Sequence, residues 1–210
     1  MRPRVVLFDY GSGNIRSGER ALARAGADVE VTSSAEAAIE APGVVVPGVG
    51  AFAACMRSLR AAGGDTMVKR RRAGGRPLLG ICVGHQVLYE RGDEHGISTP
   101  GLGIWPGAVS AVVAPVLPHV GWNTVSASAG SAMFAGICDE RFSFVHSYAA
   151  HESPDAGGPD GGARRVSLSS YGPDTFVAAV EHGPLWSTQF HPEKSGDSGI
   201  ALLRNWISSL

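Results

Sequence analysis

Apolar residues along this chain follow two rhythms. In the first half, short apolar runs alternate with stretches whose apolar positions recur every three or four residues. Val5–Tyr10, Val44–Val46 and Pro77–Ile81 are such runs, Asp28–Thr32 alternates apolar with polar, and each predicts a strand. Helical spacing predicts helices over Ile15–Ala25, Ala35–Glu40, Phe52–Ala62, about Asp65–Ala73 and Val83–Arg91, with stops at Gly26 and Gly63-Gly64. Strands alternating with helices of about ten residues predict a mostly parallel sheet flanked by helices, an α/β fold. Such sheets keep their chemistry at the carboxyl ends of the strands. The segments GSGN, PGVG and GICVG fall at those ends.

The second half changes rhythm. Ala108–Val113, His119–Val125, Arg141–His146, Arg165–Ser170, Phe176–Glu181 and Leu185–Phe190 read as strands separated by turns, so antiparallel pairing is expected there. Ile200–Ile207 reads as a closing helix. Residues 151–163 are rich in Gly, Pro and Asp and read as an exposed loop, not a linker. With no internal repeat, one domain over 1–210 is expected.

Composition narrows the function classes. With 44% hydrophobic and 18% charged residues, the chain suits a globular protein. A net charge of −1 gives no pull toward nucleic acid or an acidic membrane. The basic run Lys69-Arg70-Arg71-Arg72 reads as the solvated face of a helix. No apolar run reaches the roughly 20 residues that span a bilayer. The run Val5–Phe8, ended by Asp9, is too short for a signal-peptide core, so a cytoplasmic location is expected. Cys55, Cys82 and Cys138 are too scattered for a disulfide framework, and no pair has zinc-ligand spacing. No metal is expected.

Three segments carry candidate chemistry. Gly80-Ile81-Cys82-Val83-Gly84 joins a strand directly to a helix, the nucleophile-elbow pattern with cysteine as nucleophile. The tight turn crowds the positions two before and two after the nucleophile, and glycines relieve the crowding. A helix start would also favour thiolate over thiol. The plain alternative is a cysteine serving as a small buried hydrophobe. Gln189-Phe190-His191-Pro192-Glu193 follows the last strand. His191 can serve as base and Glu193 can orient it, because residues two apart in an extended segment face the same way. Six other histidines compete, His85 beside the elbow and His146 at a strand end among them. Acyl transfer also needs donors for a developing oxyanion. The N–H of Val83 is one, and Pro47-Gly48-Val49-Gly50 can present a second.

GICVGHQ, PGVGAF and FHPEKSG, in this order and spacing, resemble the class I, or triad, glutamine amidotransferases, which are flavodoxin-like in fold. DYGSGNIRS (Asp9–Ser17), PHVGWN (Pro118–Asn123), VHSY (Val145–Tyr148) and HPEKSG (His191–Gly196) are similar to blocks of the branch that serves a cyclase of histidine biosynthesis. The likeness runs from Val5 to the C-terminal helix. It implies hydrolysis of L-glutamine by Cys82, His191 and Glu193, with no cofactor. It implies substrate contacts from Gln86, Glu94, His146 and the backbone around Ser147 and Tyr148. It gives Val49 N–H as the second oxyanion donor once the partner is occupied. It also implies a (β/α)8-barrel cyclase partner in a heterodimer, with Asn14, Trp122 and Asn123 near the interface.

Some positions depart from the pattern. His85 stands where the family usually carries Met, Ala149 where an aromatic residue is common, and Ala114–Leu117 lack an expected basic residue. Three rivals stay open at this point. One is a triad glutaminase serving another synthase, such as anthranilate or aminodeoxychorismate synthase. Another is a cysteine hydrolase of the DJ-1 type, and the last is a flavodoxin-like binding module whose cysteine only packs.

Overall fold

The computed structural model describes residues 2–151 and 164–210. The loop expected over 151–163 therefore lies, apart from His151, outside the described residues. In chain order the first half runs β1 (Arg4–Phe8), α1 (Ile15–Ala25), β2 (Asp28–Thr32), α2 (Ala35–Glu40), β3 (Gly43–Val46), α3 (Phe52–Ala61), α4 (Gly64–Ala73), β4 (Leu78–Ile81) and α5 (Val83–Gln86). The second half runs β5 (Tyr89–Glu94), β6 (Ile97–Pro100), β7 (Trp105–Ala111), β8 (His119–Thr124), β9 (Arg141–His146), β10 (Tyr148–Ala150), β11 (Arg164–Tyr171), β12 (Asp174–His182), β13 (Leu185–Thr188) and α6 (Gly196–Ile207).

Seven strands form the central sheet, in the order β11-β12-β13-β4-β3-β1-β2. From β13 to β2 every pairing is parallel, and β12 and β11 add an antiparallel edge. The apolar runs β1, β3 and β4 form the middle of the sheet, and Val5 to Phe8, Val44 to Val46, Leu78 and Leu79 are closed off from solvent. Helices flank the sheet, with α1 packed on α6 and both α2 and α3 packed on α4. Smaller sheets carry β10-β7-β5-β6 and the antiparallel ribbon β8-β9. The parallel order sets β13, β4, β3 and β1 side by side, so the segments that follow them leave the sheet at one end.

Two expectations change. The helix expected over Val83–Arg91 stops at Gln86, and Tyr89–Glu94 is a strand. The carbonyls of Val87, Leu88 and Tyr89 accept from the N–H groups of Leu102, Gly103, Ile104 and Trp105, so they are spent outside any helix. Gly92 lies flat on the Phe52 ring, where a Cβ would come within 2.4 Å. Apolar period alone cannot separate a short buried helix from a strand.

The basic run is not wholly solvated either. Arg71 is fully buried, and its guanidinium donates to the carbonyls of Ala38, Ile39, Ala41, Pro42 and Pro77. It ties α4 to the loops that enter β3 and β4. Burial, with some repulsion from Arg76, lowers its pKa to about 10. Among the described residues, no helix is long and apolar enough to cross a membrane.

Candidate active site

The elbow forms as its sequence predicts. Cys82 has φ 55° and ψ −111°, a conformation that non-glycine residues avoid and that costs on the order of 1–3 kcal/mol. The surroundings leave no slack. A Cβ on Gly80 would sit 2.5 Å from the Gly84 carbonyl oxygen, and one on Gly84 would sit 2.0 Å from that of Val46. The two glycines thus let the turn close against β3. Cys82 N–H donates to Thr188 O at 2.8 Å, which fixes the turn to β13 as well. Because α5 is a single turn, the helix-dipole support expected for a thiolate shrinks with it.

His191 leaves the neighbouring strand β13 in extended conformation, and its Nδ1 lies 2.8 Å from Glu193 Oε1. Both side chains are nearly closed to solvent, at 3% and 5% exposure, so their interaction is little screened. The imidazole also lies beside Cys82, with which it lines one cavity. Burial alone would lower its pKa, but the bonds and charges of Cys82 and Glu193 outweigh burial and push it up to about 10. Ser195 pins the backbone here. Its hydroxyl donates to His191 O at 2.7 Å and accepts from Ser143 N–H at 2.9 Å.

The competing histidines are committed elsewhere. The His146 Nδ1 faces Tyr148 O at 3.1 Å, and a carbonyl only accepts, so Nδ1 carries the proton. The His146 Nε2 then accepts from His119 Nδ1 at 3.1 Å, and Asn123 Nδ2 bridges His119 Nε2 and Ser170 O. Burial and the neighbouring His119 lower the His146 pKa to about 3, so it stays neutral. His85 is fully buried, 2.7 Å from Ser187 Oγ and packed among the rings of Tyr89 and Trp105.

A cavity of about 540 Å3 opens over Cys82. Asn14, Val49, Val83, Gln86, Glu94, His146, Ser147, Tyr148 and His191 also line it. The sequence-predicted residues therefore converge, with three exceptions. Glu193 stands behind His191, and Trp122 and Asn123 lie on β8 away from the lining. Trp122 is 56% exposed, whereas Asn123 is half-buried in the histidine network. Glu94 Oε2 accepts the Phe52 N–H at 2.9 Å and caps α3, which has no side-chain cap of its own. Asn14 caps α1.

The two N–H groups expected as oxyanion donors are both engaged. Val83 N–H donates to Gly48 O at 3.3 Å, and Val49 N–H donates to Ser12 Oγ at 3.1 Å. Val49 O in turn lies 2.9 Å from Ser12 Oγ and 3.2 Å from Cys55 Sγ. The Gly48–Val49 peptide thus turns its carbonyl, not its N–H, toward the elbow.

Sequence reasoning missed Ser12, Cys55, Gln189, Lys194 and Ser195 around this site. Gln189 was within reach, because the alternation that pairs His191 with Glu193 puts Gln189 on the same side. Ser12, Lys194 and Ser195 stand inside the quoted DYGSGNIRS and HPEKSG blocks with no role assigned to them, and nothing local marked Cys55. Among the described residues, no group of three or more His, Cys, Asp or Glu side chains is placed to hold a metal.

A family model described as "Glutamine amidotransferase class-I" matches residues 6–209. The chain is 60% identical over 209 residues to the imidazole glycerol phosphate synthase subunit HisH of Streptomyces avermitilis, covering 99% of this chain and 97% of that one. It is 61% identical over 207 residues to the protein of the same name from Leifsonia xyli, covering 98% of each. A solved structure described as a glutamine amidotransferase superposes with TM-score 0.74 at 18% identity, over 98% of this chain and 99% of that one. The structure of PurLQS from Thermotoga maritima gives 0.71 at 17% identity, over 99% of each. These last two bear on the fold alone. The chain belongs to the class I glutamine amidotransferase family and, within it, groups with the HisH subunits of imidazole glycerol phosphate synthase.

Proposed function

We propose that residues 1–210 act as one glutaminase domain that hydrolyses L-glutamine through Cys82, His191 and Glu193. The single observation that carries this reading is that Cys82 and the His191 ring line one cavity, with Glu193 hydrogen-bonded to the far side of that ring. Cys82 Sγ attacks the side-chain amide carbon. His191, as imidazolium, gives its proton to the departing ammonia, which leaves a glutamyl thioester. The neutral imidazole then takes a proton from water as the water attacks the thioester. Glutamate departs, and the proton returns the pair to its starting state. Glu193 holds the Nδ1–H and balances the imidazolium.

Substrate contacts follow from the lining. Glu94 is the counter-charge for the α-ammonium, with one oxygen spent on α3 and the other available. The backbone at Ser147 and Tyr148 suits the α-carboxylate, and Gln86 and neutral His146 shape the wall. The oxyanion needs the Val49 and Val83 N–H groups together, so the Gly48–Val49 peptide must turn over before efficient turnover.

The ammonia is delivered to a (β/α)8-barrel cyclase subunit that makes imidazole glycerol phosphate in histidine biosynthesis. The relatives' names support this partner. Ammonia must travel shielded from bulk water, because protonated ammonia is no nucleophile. Val120, Trp122 and Val145 form an exposed apolar face on the β8-β9 ribbon. That face fits a partner contact, with Asn14 at the cavity mouth and Asn123 bracing the strand behind. A reducing cytoplasm suits a site that depends on a free Cys82.

The test is glutamate release from glutamine by the chain alone, and with the cyclase and its ribonucleotide substrate. Release that rises with the loaded cyclase and vanishes in Cys82→Ala is expected. Turnover that survives in a folded Cys82→Ala chain would end the reading.

A further inference from the structure

One buried polar group at the nucleophile takes no part in the reaction steps above. Gln189 follows β13 directly and is fully buried, and its Nε2 lies 3.8 Å from Cys82 Sγ, within hydrogen-bond range for sulfur. Its neighbours fix which end of the amide faces the sulfur. The Tyr148 carbonyl only accepts, so the Gln86 group 2.9 Å from it is the NH2. A second hydrogen of that NH2 meets Gln189 at 3.0 Å, so Gln189 presents its oxygen there. That leaves the Gln189 NH2 facing Cys82. The backbone secures the arrangement, because Gln189 N–H donates to Ala178 O and Cys82 N–H to Thr188 O, both at 2.8 Å.

We infer that Gln189 is a positioning residue for the glutaminase reaction, its side-chain NH2 holding the Cys82 sulfur as the attacking thiolate while the Tyr148 carbonyl and Gln86 hold Gln189. The inference rests on Cys82 being the nucleophile. A thiolate accepts a hydrogen bond more strongly than a thiol, so a donor built into the wall favours the charged sulfur and fixes its direction. Among the described residues, His191 after β13, Tyr10 after β1 and Cys55 on α3 lie near enough to interact with this sulfur's charge, while Glu94, His146 and Lys194 line the same cavity. Burial raises the Tyr10 and Cys55 pKa values, which keeps both neutral. His191 is then the one charged neighbour of the three, and Gln189 supplies a neutral donor beside it. The chain of amides also joins the sulfur to Tyr148, in the strand proposed to meet the substrate carboxylate.

The experiment uses Gln189→Leu, which removes the donor, and Gln189→Glu, which keeps the size and sets a carboxylate against the sulfur. Folding is checked by thermal melting. Carboxamidomethylation of Cys82 by iodoacetamide is followed by mass spectrometry across pH, together with kcat and KM for glutamine. Gln189→Leu is expected to slow modification at neutral pH roughly tenfold, the weight of one hydrogen bond to a charged acceptor. Its pH profile moves upward, and Gln189→Glu moves it further. In both variants kcat falls more than KM changes. A folded variant with the wild-type modification profile would overturn the inference. If neither variant folds, the wild-type protein decides, because the Gln189 side-chain amide resonance must titrate together with Cys82 modification. A resonance that does not follow it counts against the inference. Cys82→Ala separates the two readings, since glutamine turnover in that variant would remove the nucleophile itself.

Discussion

Val83 N–H donates to the Gly48 carbonyl oxygen at 3.3 Å. One proposed oxyanion donor is therefore occupied by the segment proposed to supply the other. Turning over the Gly48–Val49 peptide would free Val83 and bring Val49 N–H inward in one motion. Ser12 restrains that motion, since its hydroxyl accepts the Val49 N–H. Ser12→Ala is expected to raise glutamate release by the isolated chain about threefold to tenfold, the weight of one hydrogen bond. An unchanged basal rate would show that the hydroxyl restrains nothing.

Glu193 sets the His191 tautomer from 2.8 Å. Glu193→Gln keeps the shape but loses the negative acceptor, so the imidazolium is no longer balanced. Steady-state kinetics should show kcat down by about 10²-fold to 10⁴-fold, as for other orienting carboxylates, with KM little changed.

Trp122 stands out from the β8-β9 ribbon beside Val120 and Val145. Trp122→Ala is expected to weaken binding of the cyclase by about 2 kcal/mol, near thirtyfold, while leaving the melting temperature of the isolated chain unchanged. Titration calorimetry with the purified cyclase would measure it. Undiminished affinity would move the interface elsewhere.

Arg71 satisfies five carbonyls from inside the protein. In Arg71→Leu those acceptors lose their donor at sites water reaches poorly. A loss of about 3–5 kcal/mol in unfolding free energy is expected from urea titration. Arg70→Leu, one position away on the exposed side of α4, should cost under about 0.5 kcal/mol.

Acid should unfold the protein through its neutral histidines. Burial is the main cause that lowers His85 and His146 to about 3 from an ordinary 6.5. Between those values the unfolded chain binds the extra protons, so the stability tied to these two histidines is full above about pH 6.5 and falls as pH drops toward 3. Each histidine contributes a slope of about 1.4 kcal/mol per pH unit well below 6.5. His85→Met should remove one such slope between pH 6 and 4.5, read as the dependence of unfolding free energy on pH. Parallel curves for the two proteins would assign His85 no part in it.

Much of this molecule was legible in its residues. The bounds of α1, β2, α2 and β9 match those their apolar period predicts, because each keeps one period and ends at a turn-forming or polar boundary. The segment after Gln86 was not legible. Leu88-Tyr89 suits a helix or a strand, and the backbone of Leu102–Trp105 decides between them. Arg71 misled for a related reason. Its charge argues for solvent, and only carbonyls gathered from α2 and the segments entering β3 and β4 make burial tolerable.

By itself, the sequence determined the chemistry on offer. It specified a thiol framed by glycines, an imidazole two residues from a carboxylate, and strands whose ends would carry them. Tertiary structure alone decided that an amide from Gln189 faces the sulfur and that the Gly48–Val49 peptide stands turned away. Those outcomes depend on contacts between segments up to about a hundred residues apart, and a hydrogen bond's partner is set by geometry that no local pattern encodes.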